Sequence, residues 1–140
     1  MRCLIDTNIL IDVLSNRKNF VKESSSIMKF CETKIIDGYL SALSFADIVY
    51  ILREKLDPEA IKKVLNNLVL IFTFTDLNSQ DLLDAANLKW KDYEDALQSV
   101  NASKIKADYI ITRNIKDYKD SKVKAITPIE LLSKIKRLSN

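Results

Sequence analysis

Histidine is missing from the 140 residues altogether. That excludes a Ser-His-Asp or Cys-His nucleophile and any zinc site built on imidazole. Acid–base chemistry is left to carboxylates, lysine, tyrosine or water on a metal. Glycine occurs once, as Gly38, which excludes the glycine-rich phosphate loops of dinucleotide-binding and P-loop enzymes. Two cysteines, Cys3 and Cys31, offer one pairing and no metal-ligand spacing, the expectation for reduced thiols in a cytoplasmic protein. No apolar run approaches the roughly 20 residues of a membrane span. Asp6, Asn8 and Asp12 also break the apolar amino terminus that a secretion signal would need.

What remains is ordinary for a folded protein: 47% hydrophobic and 29% charged residues. The length suits one domain over residues 1–140 with a single core. The net charge of +3 is unevenly placed, since residues 1–101 hold 12 Lys or Arg against 15 Asp or Glu, whereas residues 102–140 hold 10 against 4. A basic carboxyl-terminal third is compatible with a polyanion partner. It is equally compatible with a solvated lysine-rich face.

Cys3-Leu4-Ile5 reads as a buried strand, and the apolar spacing from Ile9 to Leu14 suits a helix. Phe20 to about Ile36 reads as helical. Asp37-Gly38 is a turn signal, and Tyr39–Ala42 fits a second strand. Ser44 is expected to open the next helix, and Asp57-Pro58 the one after it. Val69–Phe74 reads as a third strand. Helices are expected from Asn78 or Ser79 and from Asp92, strands at Tyr109–Thr112 and Val123–Ile126, and a last helix from Pro128 to about Lys136. This alternation predicts an α/β fold with a parallel sheet covered by helices on both faces.

Four acidic or polar stretches lie past strands or at helix starts, places that share one edge of a parallel sheet. Asp6-Thr7-Asn8 follows the first strand, where each residue also suits a helix cap. Asp47 sits in an apolar helix, with Ser44-x-x-Asp47 readable as a capping box. Asp92-Tyr93-Glu94-Asp95 loads one helix's first turn with three acids, more than its dipole needs. Thr112-Arg113-Asn114-Ile115-Lys116-Asp117 follows the fourth strand and includes ordinary turn residues. Gathered carboxylates raise one another's pKa unless cations neutralise them. Mg²⁺ or Mn²⁺ suits oxygen-rich sites, activates water and stabilises charge developing on a phosphate.

These residues are also where the chain resembles the PIN domain family. The opening Leu4-Ile5-Asp6-Thr7-Asn8-Ile9-Leu10-Ile11-Asp12 is similar to the family's first motif. Leu43-Ser44-Phe45-Ala46-Asp47 falls where the family usually has Glu. Then Asp92–Leu97, Ala107–Asn114, Lys116-Asp117-Tyr118 and Thr127–Leu132 follow in the family's order. The resemblance implies a three-layer α/β/α fold with a five-stranded parallel sheet, and Mg²⁺- or Mn²⁺-dependent cleavage of RNA. It implies Asp6, Asp47, Asp95 and Asp117 as the catalytic, metal-binding cluster, with Thr7, Asn8, Ser44 and Asn114 in support. The family often has Asp at the Asn114 position, so the resemblance leaves open which of Asn114 and Asp117 faces the metal.

A small PIN domain resembles the toxin of a VapBC-type toxin–antitoxin pair, which implies an antitoxin protein as partner and a cytoplasmic location; a homodimer is compatible. Arg113 and Lys116 are the basic residues expected to contact RNA, with Lys104, Lys106, Lys119 and Lys122 nearby. Trp90 and Tyr118 are read as exposed aromatics that either stack on bases or pack. The competing reading is a catalytically degenerate PIN-fold module that binds RNA or a partner. A phosphoacceptor domain would want paired acids after the first strand, which Asp6-Thr7-Asn8 does not supply.

Overall fold

The structure, a computed structural model, describes residues 1–139. Its strands are β1 (Arg2–Ile5), β2 (Asp37–Ser41), β3 (Thr73–Thr75), β4 (Tyr109–Ile111) and β5 (Ala125–Ile126). They lie in the order β3-β2-β1-β4-β5, all parallel. Cys3, Leu4 and Ile5 of β1 are wholly buried. Such a run has no polar side to show water, so it fits only the centre of a sheet covered on both faces.

The covering helices are α1 (Thr7–Leu14), α2 (Val21–Glu32), α3 (Ala42–Leu52), α4 (Pro58–Ile71), α5 (Ser79–Asn87), α6 (Tyr93–Lys104) and α7 (Pro128–Leu138). Successive strand residues point to opposite faces. Cys3, Ile5, Leu40, Ile111 and Ile126 therefore join the larger core, with residues of α1, α2, α3, α4 and α7. Leu4 and Ile110 meet Ala102 of α6 and Tyr118 on the other face, and Ala85, Ala96 and Leu97 join α5 to α6 beside them. This is the expected three-layer α/β/α arrangement.

Three local expectations are corrected. Val69–Ile71 belongs to α4, and the third strand starts only at Thr73. Ile61 and Leu68, seven residues apart, are both buried, so the helical period carries on, while Leu70 is 76% exposed on the outer side. A short apolar run cannot separate helix from strand without that knowledge. Ser41 rather than Ser44 caps α3, accepting from the Leu43 amide at 3.2 Å. Asp47 thus lies in the second turn of the helix and takes no part in a capping box.

Gly38 is a strand residue, not a turn. A Cβ there would stand 2.6 Å from Cys31 Sγ and 3.0 Å from a Phe72 ring carbon. Gly38→Ala is expected to destabilise the fold by about 1–3 kcal/mol through overpacking, seen as a lower denaturant midpoint. Adding Cys31→Ala should recover part of that loss. An alanine variant as stable as the parent would show that the sheet–helix gap is looser than these distances state.

Candidate functional site

The order of the sheet reverses at β1, because the chain moves outward through β2 and β3 and then returns to β4 on β1's other side. Open parallel sheets form a crevice at such a reversal, past the carboxyl ends of the strands. Asp6 and Thr112 stand at those two strand ends and tie them together. The Asp6 amide donates to Ile111 O at 2.9 Å, and Thr112 Oγ1 donates to Asp6 Oδ2 at 2.7 Å. Asp6 is also the N-cap of α1, with the Asn8 amide 3.4 Å from Oδ1. The cap and site readings of Asp6 therefore hold together, one oxygen to each.

From the facing layer, α6 presents its first turn. Asp92 caps it by accepting from the Asp95 amide at 3.1 Å, which leaves the Asp95 carboxylate free to turn toward Asp6. Tyr118, in a short 3₁₀ turn over Ile115–Tyr118, lies between them. Its hydroxyl is 3.1 Å from Asp95 Oδ1 and 3.4 Å from Asp6 Oδ2. Tyr118 is buried, so its reading as an exposed aromatic is corrected. Burial, then the charges of Asp6 and Asp95, hold its phenol far above the ordinary range. It is a proton donor to the two acids and not an anion. Trp90 is half-buried and packs edge-on to Tyr118, with ring centroids 6.2 Å apart.

One cavity of about 410 Å³ is lined by Asp6, Asp47, Asp95 and Asp117 together with Thr7, Asn8 and Asn114. Ser44 is buried just behind it, its hydroxyl 2.7 Å from that of Thr7, so α1 and α3 are pinned to each other. Asn114 and Asp117 are both exposed at the rim, and the Asn114 amide donates to Thr112 Oγ1 at 3.1 Å. Arg113 does not line this cavity. Its guanidinium lies over the Phe20 ring at 3.9 Å, with Nε 2.9 Å from Asp12 Oδ2. Asp12 is wholly buried and also accepts from Ser24 Oγ at 3.0 Å. A buried carboxylate needs such partners, and Arg113 is occupied in supplying one.

Glu94, Gln98, Thr112 and Tyr118 escaped the sequence reading as site residues. Glu94 lines the same cavity as Asp47 from the opposite helix, near enough for the Asp47 charge to add to burial in raising its carboxyl. The triplet of acids in the first turn of α6 was a signal for Glu94. Thr112 was signalled by its place directly after the fourth strand and Tyr118 by the Lys116-Asp117-Tyr118 motif, whereas Gln98 had no local signal.

Electrostatically the site is short of positive charge. Burial raises the Asp6 carboxyl above the ordinary range, against hydrogen bonds from Thr112, the Asn8 amide and Tyr118. Burial also raises Asp47. Glu94 is raised by burial and then by Asp47, Asp92 and Asp6. Asp95 is pushed up to about 7 by burial, then by Asp92 and Asp6. Acids that hold protons against their neighbours in this way are neutralised best by a divalent cation.

Among the described residues no three carboxylates converge tightly enough to make a ready cage for an ion. They line a wall around a space instead. The donor set is wholly oxygen, which suits Mg²⁺ or Mn²⁺ and not a softer metal.

No curated protein matches the chain by sequence. Solved structures similar to it in fold include one of VapBC2 from Rickettsia felis bound to a promoter DNA fragment, at a TM-score of 0.69 and 15% identity, covering 91% of this chain and 98% of that one. A VapBC-1 structure from nontypeable Haemophilus influenzae gives 0.67 and 18%, covering 92% and 99%. A toxin–antitoxin complex from Klebsiella pneumoniae gives 0.66 and 20%, covering 90% and 97%. Identities this low speak for shared architecture alone. The model of the PIN domain matches residues 2–116, from β1 past β4 and so across both strands that frame the crevice; the chain belongs to the PIN domain family.

Proposed function

We propose that this protein is a Mg²⁺- or Mn²⁺-dependent endoribonuclease of the cytoplasm, and the toxin of a toxin–antitoxin pair. The observation that carries this reading is the meeting of Asp6, Asp47, Asp95 and Asp117, from four distant stretches of chain, around one cavity. When bound there, the cation activates water and offsets negative charge building on the scissile phosphate. Asp6 and Asp95 are its principal holders, being the two acids fixed by Tyr118, Thr112 and a helix cap. Asp47 and Asp117, with Glu94, complete the charge balance or hold a second ion. Thr7, Asn8, Ser44 and Asn114 orient the acids.

A wider groove of about 1060 Å³ shares Asp92, Glu94, Asp95 and Asp117 with the acidic cavity. Lys89, Lys91, Lys116 and Lys119 line it, and all four are exposed. Flexible ammonium groups beside the acids suit the backbone of a single strand leading to the cavity. Lys116, which lines this groove, is the basic residue assigned to holding RNA in this reading. Arg113, committed to Asp12 and Phe20, is reassigned to supporting the strand end that carries Thr112.

The toxin role rests on the fold shared with proteins of toxin–antitoxin complexes. It brings an antitoxin as partner and a homodimer as the simplest assembly. The purified chain is expected to cut single-stranded RNA with Mg²⁺ or Mn²⁺, to stop on chelation, and to resume when Mn²⁺ is returned. RNA bound but left intact at every metal concentration would favour the degenerate binding module. Expression is expected to arrest growth, with Asp95→Asn relieving the arrest.

A further inference from the structure

Gln98 stands apart from the other polar residues on its helix. It is 4% exposed, lies three residues beyond Asp95 and four beyond Glu94, and lines the acidic cavity. Residues at those separations share one helix face. Of its buried neighbours, Ser99 bonds to Ser121 at 2.8 Å. Asn101 Nδ2 donates to Ser41 Oγ at 2.9 Å but leaves its own Oδ1 without a partner, away from the cavity. Gln98 Oε1 also has no partner. A buried amide oxygen without a donor lowers stability unless the site's occupant supplies one.

We infer that Gln98 is a positioning residue of this cavity, its carboxamide oxygen accepting from the water shell of the bound divalent cation. The inference rests on the metal-dependent reading above and adds a residue to it. A neutral oxygen is what the site can still accommodate. Asp6, Asp47, Glu94 and Asp95 already line this cavity, and another carboxylate would repel them further. Carbonyl oxygens suit Mg²⁺ and Mn²⁺ as carboxylates do, without that repulsion. The last torsion of a glutamine side chain is soft, so the amide can turn its oxygen to the cavity. Groups that hold a metal's own ligands or waters commonly set its affinity.

The test is calorimetric titration of the full chain with Mn²⁺, paired with thermal unfolding of the metal-free protein. Gln98→Met keeps the length and removes the polar end. It is expected to weaken Mn²⁺ binding about tenfold, with a metal-free midpoint unchanged or higher, because a buried unpaired oxygen is gone. Gln98→Glu is expected to do the reverse, binding Mn²⁺ more tightly while lowering the metal-free midpoint. A methionine variant that is folded and binds Mn²⁺ like the parent would overturn the role of Gln98 and leave the ribonuclease reading standing. A parent protein that takes up no Mn²⁺ would overturn both.

Discussion

Asp6→Asn is expected to slow metal-dependent RNA cleavage by roughly a thousandfold or more, the scale of several kcal/mol of charge stabilisation lost from the reacting phosphate. The substitution keeps the shape and the oxygen that accepts from Thr112 at 2.7 Å. It removes the negative charge at the crevice between β1 and β4 and, with it, the second oxygen, which accepts from the Asn8 amide at 3.4 Å. The fold should survive, since the bond given up is the long cap contact at 3.4 Å, and loss of a cap costs about 1 kcal/mol. Single-turnover cleavage of a labelled RNA in Mn²⁺, beside a circular dichroism melt, separates the two effects. Parent-like cleavage by a folded Asp6→Asn protein would refute the catalytic assignment.

The second large effect is the loss of a pH dependence on adding metal. Asp95 holds its proton up to about 7, against an ordinary value of 3.8, because of burial and then the Asp92 and Asp6 charges. Between those two values the folded, metal-free protein binds more protons than the unfolded chain. Its stability therefore falls as pH rises through that window, since folding then requires an uncomfortable charge to form. A cation needs the same group deprotonated, so Mn²⁺ affinity should rise with pH, by up to about tenfold per unit below 7, and flatten above it. Thermal midpoints from pH 5 to 8 should thus slope downward without metal and be nearly flat with saturating Mn²⁺, because the bound fold and the unfolded chain then both lack the proton. Asp95→Asn should flatten the slope seen without metal and cut the rise in midpoint that Mn²⁺ gives. Parallel slopes with and without Mn²⁺ in the parent would mean that Asp95 does not face the ion.

The local signals were strong where chemistry and backbone coincide. Asp6 follows a buried strand and caps a helix, so its place at a strand end could be read directly. Asp92 announced the start of α6 in the same way, and Asp57-Pro58 that of α4. Asp47 was recognised, but its register was misjudged. Ser41 and Ser44 are equally good caps in isolation, and only the end of β2 decides between them. The stretch Val69–Ile71 misled for a related reason, because its exposed apolar residues sit on the outside of α4 and resemble the inside of a strand.

From the order of residue types alone came the alternation of strand and helix, the exclusion of histidine and phosphate-loop chemistry, and the acids at the strand ends. These depend on periodicity and short-range hydrogen bonding, which are written locally. The tertiary structure decided which acids share a space, that Tyr118 lies between Asp6 and Asp95, that Glu94 faces Asp47, and that Arg113 turns away to Asp12. Each of those depends on how far a helix rolls about its axis and on where the sheet order reverses. Both are set by packing between residues about a hundred positions apart, as with Asp6 and Thr112, and no neighbouring residue encodes them.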